Sequence, residues 1–223
     1  MSETNQLIVF DWDGTLMDSE ARIVACLRTA IEETGLPHRH DDELRNIIGL
    51  GLREALVTLY PEGSDQQHDD LVKHYRHHFL DSNDTPSPLF EGADELIRNL
   101  HDQGHFLAVA TGKGRQGLDK VLDETALGEY FHYTRCADET RSKPHPQMLL
   151  DIMDWLGMEA NATLMIGDTE FDLQMARNAG VNALGVSYGV HEKARLLACE
   201  PLACLDSLAE VSEWLNTNMN QAA

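Results

Sequence analysis

Length, composition and charge set the first limits on this protein. Its 223 residues are 42% hydrophobic, which suffices for a packed core, and 38 acidic against 17 basic residues give a formal net charge of -21. This charge opposes nonspecific binding to nucleic acid or to an anionic membrane surface, so we expect neither as a partner.

The chain carries no pattern typical of export or membrane insertion. Residues 1–6 lack a basic region followed by an apolar one, and no window approaches the length of a membrane helix. No C-x-x-C pair occurs among the cysteines, so we expect buried, reduced thiols rather than disulfides or zinc ligands. These are Cys26, Cys136, Cys199 and Cys204. We therefore expect a cytoplasmic protein, either a monomer or a homodimer.

Four short apolar runs predict buried β-strands. They are LIVF (7–10), FLAVAT (106–111), TLMIG (163–167) and NALGVS (182–187). Between the later runs, apolar residues recur at the three-four spacing of a helix face, as in 148–156. Strands that alternate with helices predict an α/β fold with a doubly wound parallel sheet, which binds ligands at the carboxyl ends of its strands.

One region interrupts this alternation. From residue 18 to about residue 80 only helical patterns occur, and the polar, proline-containing segment 81–92 is typical of a linker. We predict an inserted helical domain over residues 18–84, with residues 1–17 and 85–223 forming the α/β core. The C-terminal segment NTNMNQAA (216–223) is predicted to be disordered.

Polar residues stand at three of the predicted strand ends, where the sheet rule brings them to one edge. They are Asp11 and Asp13, then Thr111 and Gly112, then Asp168 and Asp172. Four carboxylates in one cleft repel one another unless a cation compensates them, and hard oxygen ligands favour Mg²⁺. The pattern therefore predicts a magnesium site.

Lys143, in the stretch RSKPHP, is the natural additional cation. Its neighbour Pro144 suits the first turn of a helix, which would leave Lys143 at the helix entry. With Mg²⁺ and a lysine present, the cleft can bind a phosphate dianion, to which Thr111 and the Gly112 amide can donate hydrogen bonds. One aspartate can then attack phosphorus, and a second can protonate the leaving alkoxide.

The stretches DWDGT, ATGK, KPHP and GDTEFD, in this order, resemble the four motifs of the haloacid dehalogenase-like (HAD) superfamily. The similarity is greatest to its phosphatases with a helical cap after the first strand, and among them to phosphoglycolate phosphatase-like enzymes. The resemblance implies a Rossmann-like core and an inserted cap. It also implies Mg²⁺-dependent hydrolysis of a small phosphorylated metabolite, with phosphoglycolate as a candidate, through an aspartyl phosphate.

The same resemblance assigns a role to each strand-end residue. Asp11 would be the nucleophile and a metal ligand, and Asp13 the acid and base, binding the metal through its carbonyl. Thr111 would bind phosphate, and Lys143 would stabilise both the nucleophile and the phosphate. Asp168 would bind Mg²⁺, and Asp172 would hold the groups around the metal and Lys143 in position.

Outside the motifs, Arg53 could reach a second anionic group on the substrate, or it could be a solvated helix arginine. The histidines of the insertion fit a solvated helix face better than a metal site; they are His68, His74, His77 and His78. Three other functions are alternatives. A β-phosphoglucomutase-like phosphomutase shares every core residue. A haloacid dehalogenase needs neither Mg²⁺ nor an acid at position 13, so Asp13 and Asp168 argue against it, and the intact set of acids disfavours a phosphate-binding regulator that has lost catalysis.

Overall fold

The computed structural model describes residues 6–219. Over this range the chain forms six β-strands: β1 Leu7–Phe10, β2 Phe106–Thr111, β3 Tyr133–Cys136, β4 Thr163–Gly167, β5 Asn182–Val186 and β6 Ala203–Leu205. The α-helices before β2 are α1 Glu20–Thr34, α2 Asp41–Asn46, α3 Leu52–Leu59, α4 Asp65–His77 and α5 Ala93–Asp102. Those that follow are α6 Arg115–Thr125, α7 Gln147–Leu156, α8 Glu170–Ala179, α9 Lys193–Leu197 and α10 Leu208–Met219. A π-helical turn, His78–Ser82, extends α4, and 3-10 turns lie at Gly128–Tyr130 and Ala160–Ala162.

The strands form one parallel sheet in the order β3-β2-β1-β4-β5-β6. β1 is central, where Val9 pairs with Ala108 of β2 and Met165 of β4. The predicted α/β fold with a doubly wound parallel sheet is confirmed, and β5 ends at Val186, one residue earlier than predicted. β3 and β6 were not predicted, because β3 carries the polar sequence YTRC and β6 has only three half-buried residues.

Strand periodicity explains why β1 is apolar throughout. Ile8 and Phe10 join the hydrophobic cluster on one face of the sheet, while Leu7 and Val9 join the cluster on the other. Successive side chains of a strand point to opposite faces, so helices on both faces bury all four residues. The strand end that follows is therefore held rigidly.

The segment Glu20–Ser82, which we call the cap, contains α1 to α4 and the π-helical turn. It has a hydrophobic cluster of its own, with Leu27, Leu44, Leu56 and Leu71 at its centre. Ser64 caps α4 in a reciprocal pairing with Gln67. Among its histidines His68 is buried, with Nε2 2.9 Å from the Tyr60 carbonyl oxygen, so the prediction of a solvated face is wrong for this residue.

The two chain segments that join the cap to the sheet lie side by side. Met17 and Leu89 form an antiparallel bridge. The Asp18 amide donates to the Pro88 carbonyl at 2.8 Å, and the Phe90 amide donates to the Leu16 carbonyl at 2.9 Å. The predicted linker therefore begins later than residue 81, because the π-helical turn continues to Ser82, and its second half is paired with the chain that enters the cap.

Two further local predictions were wrong. α7 begins at Gln147 and has Pro146 at its N-cap, so Pro144 precedes the helix instead of lying in its first turn. α10 extends to Met219 because Leu208, Val211 and Leu215 are buried against the sheet, so residues 216–219 are helical and not disordered. Residues 220–223 of the predicted disordered segment lie outside the described range. Between residues 6 and 219, none of the helices combines the length and the apolar character that spanning a bilayer requires.

Candidate active site

The carboxyl ends of β1, β2 and β4 meet at one edge of the sheet. Asp11 directly follows β1, Thr111 ends β2 and Asp168 directly follows β4, and all three side chains are buried. The Asp11 amide donates to the Ile166 carbonyl at 2.9 Å, which extends the pairing of β1 with β4 by one residue. The strand pairing thereby fixes the backbone of Asp11.

The two carboxylate oxygens of Asp11 have different surroundings. Oδ1 accepts a hydrogen bond from the Trp12 amide at 2.7 Å and lies 2.8 Å from Lys143 Nζ. Oδ2 is buried, and none of the residues between 6 and 219 donates a hydrogen bond to it. Burial raises the pKa of Asp11 well above its usual value; Lys143 opposes this rise, whereas Asp172 and Asp168 add to it.

Lys143 is fully buried between two carboxylates. Its Nζ lies 2.8 Å from Asp11 Oδ1 and 2.6 Å from Asp172 Oδ1. Asp172 belongs to the first turn of α8, where its Oδ2 accepts hydrogen bonds from the Thr169 amide and hydroxyl at 3.0 and 2.7 Å. Burial alone would lower the pKa of Lys143, but the charges of Asp11 and Asp172 outweigh it and raise that pKa, so the lysine stays protonated.

Asp168 is held by groups from two other loops. The Thr15 hydroxyl donates to Oδ1 at 2.8 Å, and the Val190 amide donates to Oδ2 at 2.9 Å. Burial, together with the charge of Asp172, raises the pKa of Asp168 to about 7. Gly14 has φ +84°, and a Cβ at that position would collide with Asp168 Oδ2, so the turn needs glycine both for its conformation and for space.

The donor set fits a divalent cation. Asp11, Asp168 and Asp172 each present a ligand atom within 4.8 Å of the others, and all three are buried. Lys143 is the single cation paired with them among residues 6–219, which leaves an excess of negative charge, and Asp11 Oδ2 has no hydrogen-bond donor. Oxygen ligands of this kind suit Mg²⁺. Asp172 is paired with Lys143 and Thr169, whereas Asp11 keeps Oδ2 without a donor and Asp168 accepts only from two neutral groups, so Asp11 and Asp168 are better placed to bind a metal.

Asp13 lies in the turn that follows β1, and its residue is 8% exposed. Its Oδ1 accepts a hydrogen bond from the Ser19 hydroxyl at 2.6 Å and lies 3.0 Å from Lys113 Nζ. Lys113 also lies over the ring of Phe79, 4.3 Å from its centroid. Sequence reasoning missed the contacts of Ser19 and Lys113, although the position of Lys113 directly after Thr111-Gly112 was a usable signal.

The loop between α2 and α3 rests on these strand ends. A Cβ on Gly112 would lie 2.5 Å from the Leu50 carbonyl oxygen, so only glycine permits this approach. The Gly51 amide donates to the Ser142 hydroxyl at 2.6 Å, a contact that the sequence did not indicate. Thr111 is fully buried, and its hydroxyl accepts a hydrogen bond from the Lys113 amide at 3.1 Å.

A cavity of about 480 Å³ lies between the cap and the strand ends, and Asp11, Asp13, Thr111 and Gly112 line its base. Arg53 lines the cap side of this cavity. Its guanidinium pairs with two aspartates of α4, Asp65 at 2.8 Å and Asp69, and the side chain is 46% exposed. The structure thus brings Arg53 to the cavity, but with both terminal nitrogens paired.

The haloacid dehalogenase-like hydrolase family matches residues 8–186, a range that includes all four motifs and the cap. The chain belongs to this family. The "Probable phosphatase IndB" of Dickeya dadantii is 36% identical over 211 residues, covering 92% of this chain and 91% of that protein. A phosphoglycolate phosphatase of Nitrosococcus oceani is 29% identical over 97% of this chain and 99% of its own length.

The fold is also similar to that of solved structures. A hydrolase from Pseudomonas syringae superimposes with a TM-score of 0.87 at 22% identity, covering 96% of this chain and 99% of that one. The resemblance in the four motifs is thereby confirmed at the level of the family and the fold.

Proposed function

We propose that this protein is a magnesium-dependent phosphatase that hydrolyses a small phosphomonoester through an aspartyl phosphate on Asp11. The observation that carries the proposal is the asymmetry of the Asp11 carboxylate, with Oδ1 held by Trp12 and Lys143 and Oδ2 without a donor. A carboxylate fixed in this way can attack with one oxygen while the other is free for a cation. The family membership and the names of the relatives support the same activity.

The first step transfers the phosphoryl group to the enzyme. The bound phosphate accepts hydrogen bonds from Thr111 and the Gly112 amide, and Lys143 offsets the charge that builds up between nucleophile and phosphate. Asp11 Oδ1 forms a bond to phosphorus, and the bond from phosphorus to the alcohol oxygen breaks. Asp13 gives its proton to that oxygen. Ser19 and Lys113 both bind Asp13 Oδ1, which leaves Oδ2 to carry the proton.

The second step releases phosphate. Asp13, now a carboxylate, takes a proton from a water molecule while the water oxygen bonds to phosphorus. The bond between phosphorus and Asp11 breaks, and the free carboxylate is restored. When bound, Mg²⁺ would be held by Asp11, Asp168 and the Asp13 carbonyl, and it would neutralise charge on the phosphoryl oxygens. Asp172 keeps Lys143 in place throughout.

We further propose that residues 18–84, which contain the cap, form a domain that covers the substrate and excludes water. The separate hydrophobic cluster of the cap, the close approach of Leu50 to Gly112 and the hydrogen bond from Gly51 to Ser142 support this role. The name of a relative, a phosphoglycolate phosphatase, makes phosphoglycolate a candidate substrate.

We propose a cytoplasmic location, which the four free cysteines support. We also propose that the protein works as a monomer or a homodimer, and size-exclusion chromatography with light scattering would decide between the two.

Hydrolysis of p-nitrophenyl phosphate tests the proposal. We expect turnover with Mg²⁺, loss of turnover after chelation with EDTA, and loss in Asp11→Asn and Asp13→Asn. The matched control is Asp18→Asn, because Asp18 stands in the same segment but is exposed, so we expect it to retain activity.

Acid quenching during turnover, followed by mass spectrometry, should find a phosphoryl adduct on the peptide that carries Asp11. Full activity in EDTA would refute the metal requirement. Full activity of Asp11→Asn, or an adduct on a different peptide, would refute the assignment of the nucleophile.

A further inference from the structure

The cap side of the active-site cavity has a composition that bears on the substrate. The cavity has a volume of about 480 Å³; the strand-end residues line its base, and several elements of the cap line the opposite wall. Cavities of several hundred Å³ accommodate whole small molecules, far more than a phosphoryl group with a two-carbon acid attached. The cavity therefore has room for a larger group beyond the phosphate.

The side chains of this wall are predominantly apolar. Those from α1, α4 and the π-helical turn are Ile23, Leu27, Val72, Tyr75, Phe79 and Leu80, and the α2–α3 region adds Ile47, Ile48 and Leu50. The rings of Tyr75 and Phe79 stack with centroids 5.5 Å apart and planes inclined by 20°. Both side chains line the cavity, and although Lys113 covers part of the Phe79 ring, their aromatic surface gains free energy by covering apolar ligand surface and gains little from a carboxylate.

The cations that line the cavity already have carboxylate partners. Between residues 6 and 219 they are Arg53, Arg76 and Lys113. Arg53 pairs with two aspartates of α4, Arg76 lies 3.9 Å from Asp138, and Lys113 lies 3.0 Å from Asp13. A second acid group on the substrate would compete with these carboxylates for the cations, and Glu54 adds a further negative charge to the same lining.

From these observations, and given the phosphatase activity proposed above, we propose that the preferred substrate is the phosphomonoester of an alcohol with an apolar, ring-sized body. The stacked pair Tyr75 and Phe79 would hold that body. A short phosphorylated acid such as phosphoglycolate would then be the poorer substrate, since it leaves the apolar wall uncovered and brings a carboxylate to a cavity without an unpaired cation.

Benzyl phosphate and phosphoglycolate are the probes, because each is a primary-alcohol phosphomonoester and they differ in the group attached. We expect kcat/KM for benzyl phosphate to exceed that for phosphoglycolate by about tenfold or more, the scale of discrimination that an apolar pocket supplies. Tyr75→Ala should lower kcat/KM for benzyl phosphate by about tenfold and leave phosphoglycolate within about twofold. Tyr75→Phe, which keeps the ring, should restore the preference.

Binding separates this inference from the proposed activity. Titration calorimetry of Asp11→Asn with each compound in Mg²⁺ needs no turnover, and we expect benzyl phosphate to bind more tightly by a similar factor. Absence of hydrolysis of both compounds and of p-nitrophenyl phosphate would refute the phosphatase, while the binding preference would still test the cap. Equal binding, tighter binding of phosphoglycolate, or an equal loss for both substrates in Tyr75→Ala would refute the substrate inference.

Discussion

Asp168→Asn should stabilise the metal-free protein while removing its activity. The carboxylate is fully buried, and its pKa of about 7 in the fold compares with a usual value of 3.8. A carboxyl group whose pKa is raised by folding binds more protons in the folded than in the unfolded state. Stability is therefore lost as the pH rises from the usual pKa through the raised one.

The size of the effect follows from this pKa difference. Each pKa unit corresponds to about 1.4 kcal/mol, so the rise to about 7 corresponds to about 4 kcal/mol of destabilisation at pH 8. Asparagine removes the charge and can keep both contacts, with its oxygen accepting from the Val190 amide and its amide donating to the Thr15 hydroxyl oxygen. We expect the variant to be more stable by about 2 to 4 kcal/mol at pH 8, with the difference vanishing near pH 4.

Urea denaturation in EDTA across this pH range measures the difference, and Asp123→Asn, at an exposed position on α6, is the control that should change little. Adding Mg²⁺ should stabilise the wild type and leave Asp168→Asn nearly unchanged, since binding to the folded state raises its stability. A difference that does not depend on pH, or a variant less stable than the wild type at pH 8, would refute the reasoning.

Three further predictions concern packing. Gly14→Ala should abolish p-nitrophenyl phosphate hydrolysis because its Cβ would collide with Asp168. Gly35 is also at positive φ but has nothing within 4 Å of the position of an added Cβ, so Gly35→Ala should keep activity and lower the free energy of unfolding, measured in urea, by about 1 kcal/mol. Leu56→Ala, at the centre of the cap cluster, should lower the free energy of unfolding by about 2 to 5 kcal/mol in the same assay. Burial raises the pKa of Cys26 to about 11 and that of Cys136 to about 12, so at pH 8 both thiols should react with Ellman's reagent only as fast as the protein unfolds. Rapid reaction of both in the native state would contradict their burial.

The sequence predicted the centre of the sheet well and its edges poorly. β1, β2 and β4 are apolar because helices cover both faces, and this burial is visible in the residues themselves. β3 carries Arg135 and a half-buried Tyr133, and β6 is very short, so neither shows the pattern of a buried strand. Their positions depend on pairing with strands distant in the chain.

The same distinction holds for the site. Residues at the ends of central strands could be predicted to meet, because parallel strands bring their carboxyl ends to one edge. The pairing of Arg53 with Asp65 and Asp69 could not, because it depends on how α3 packs against α4. Likewise, Lys113 reaches Asp13 and Phe79 only once the cap lies over β2, and no local pattern encodes that placement.

The paired segments at Met17 and Leu89 have a consequence for how this architecture can vary. The entry and the exit of the cap are hydrogen-bonded neighbours, so the chain connects the cap to the α/β core at one place. None of the six strands of the sheet comes from the cap. Exchange of the helices between these two positions would leave the pairing of β1 with β2 and β4 intact. Under the function proposed above, the residues that would select the substrate and those that would act on it thus belong to separate stretches of the chain, which face each other across the cavity.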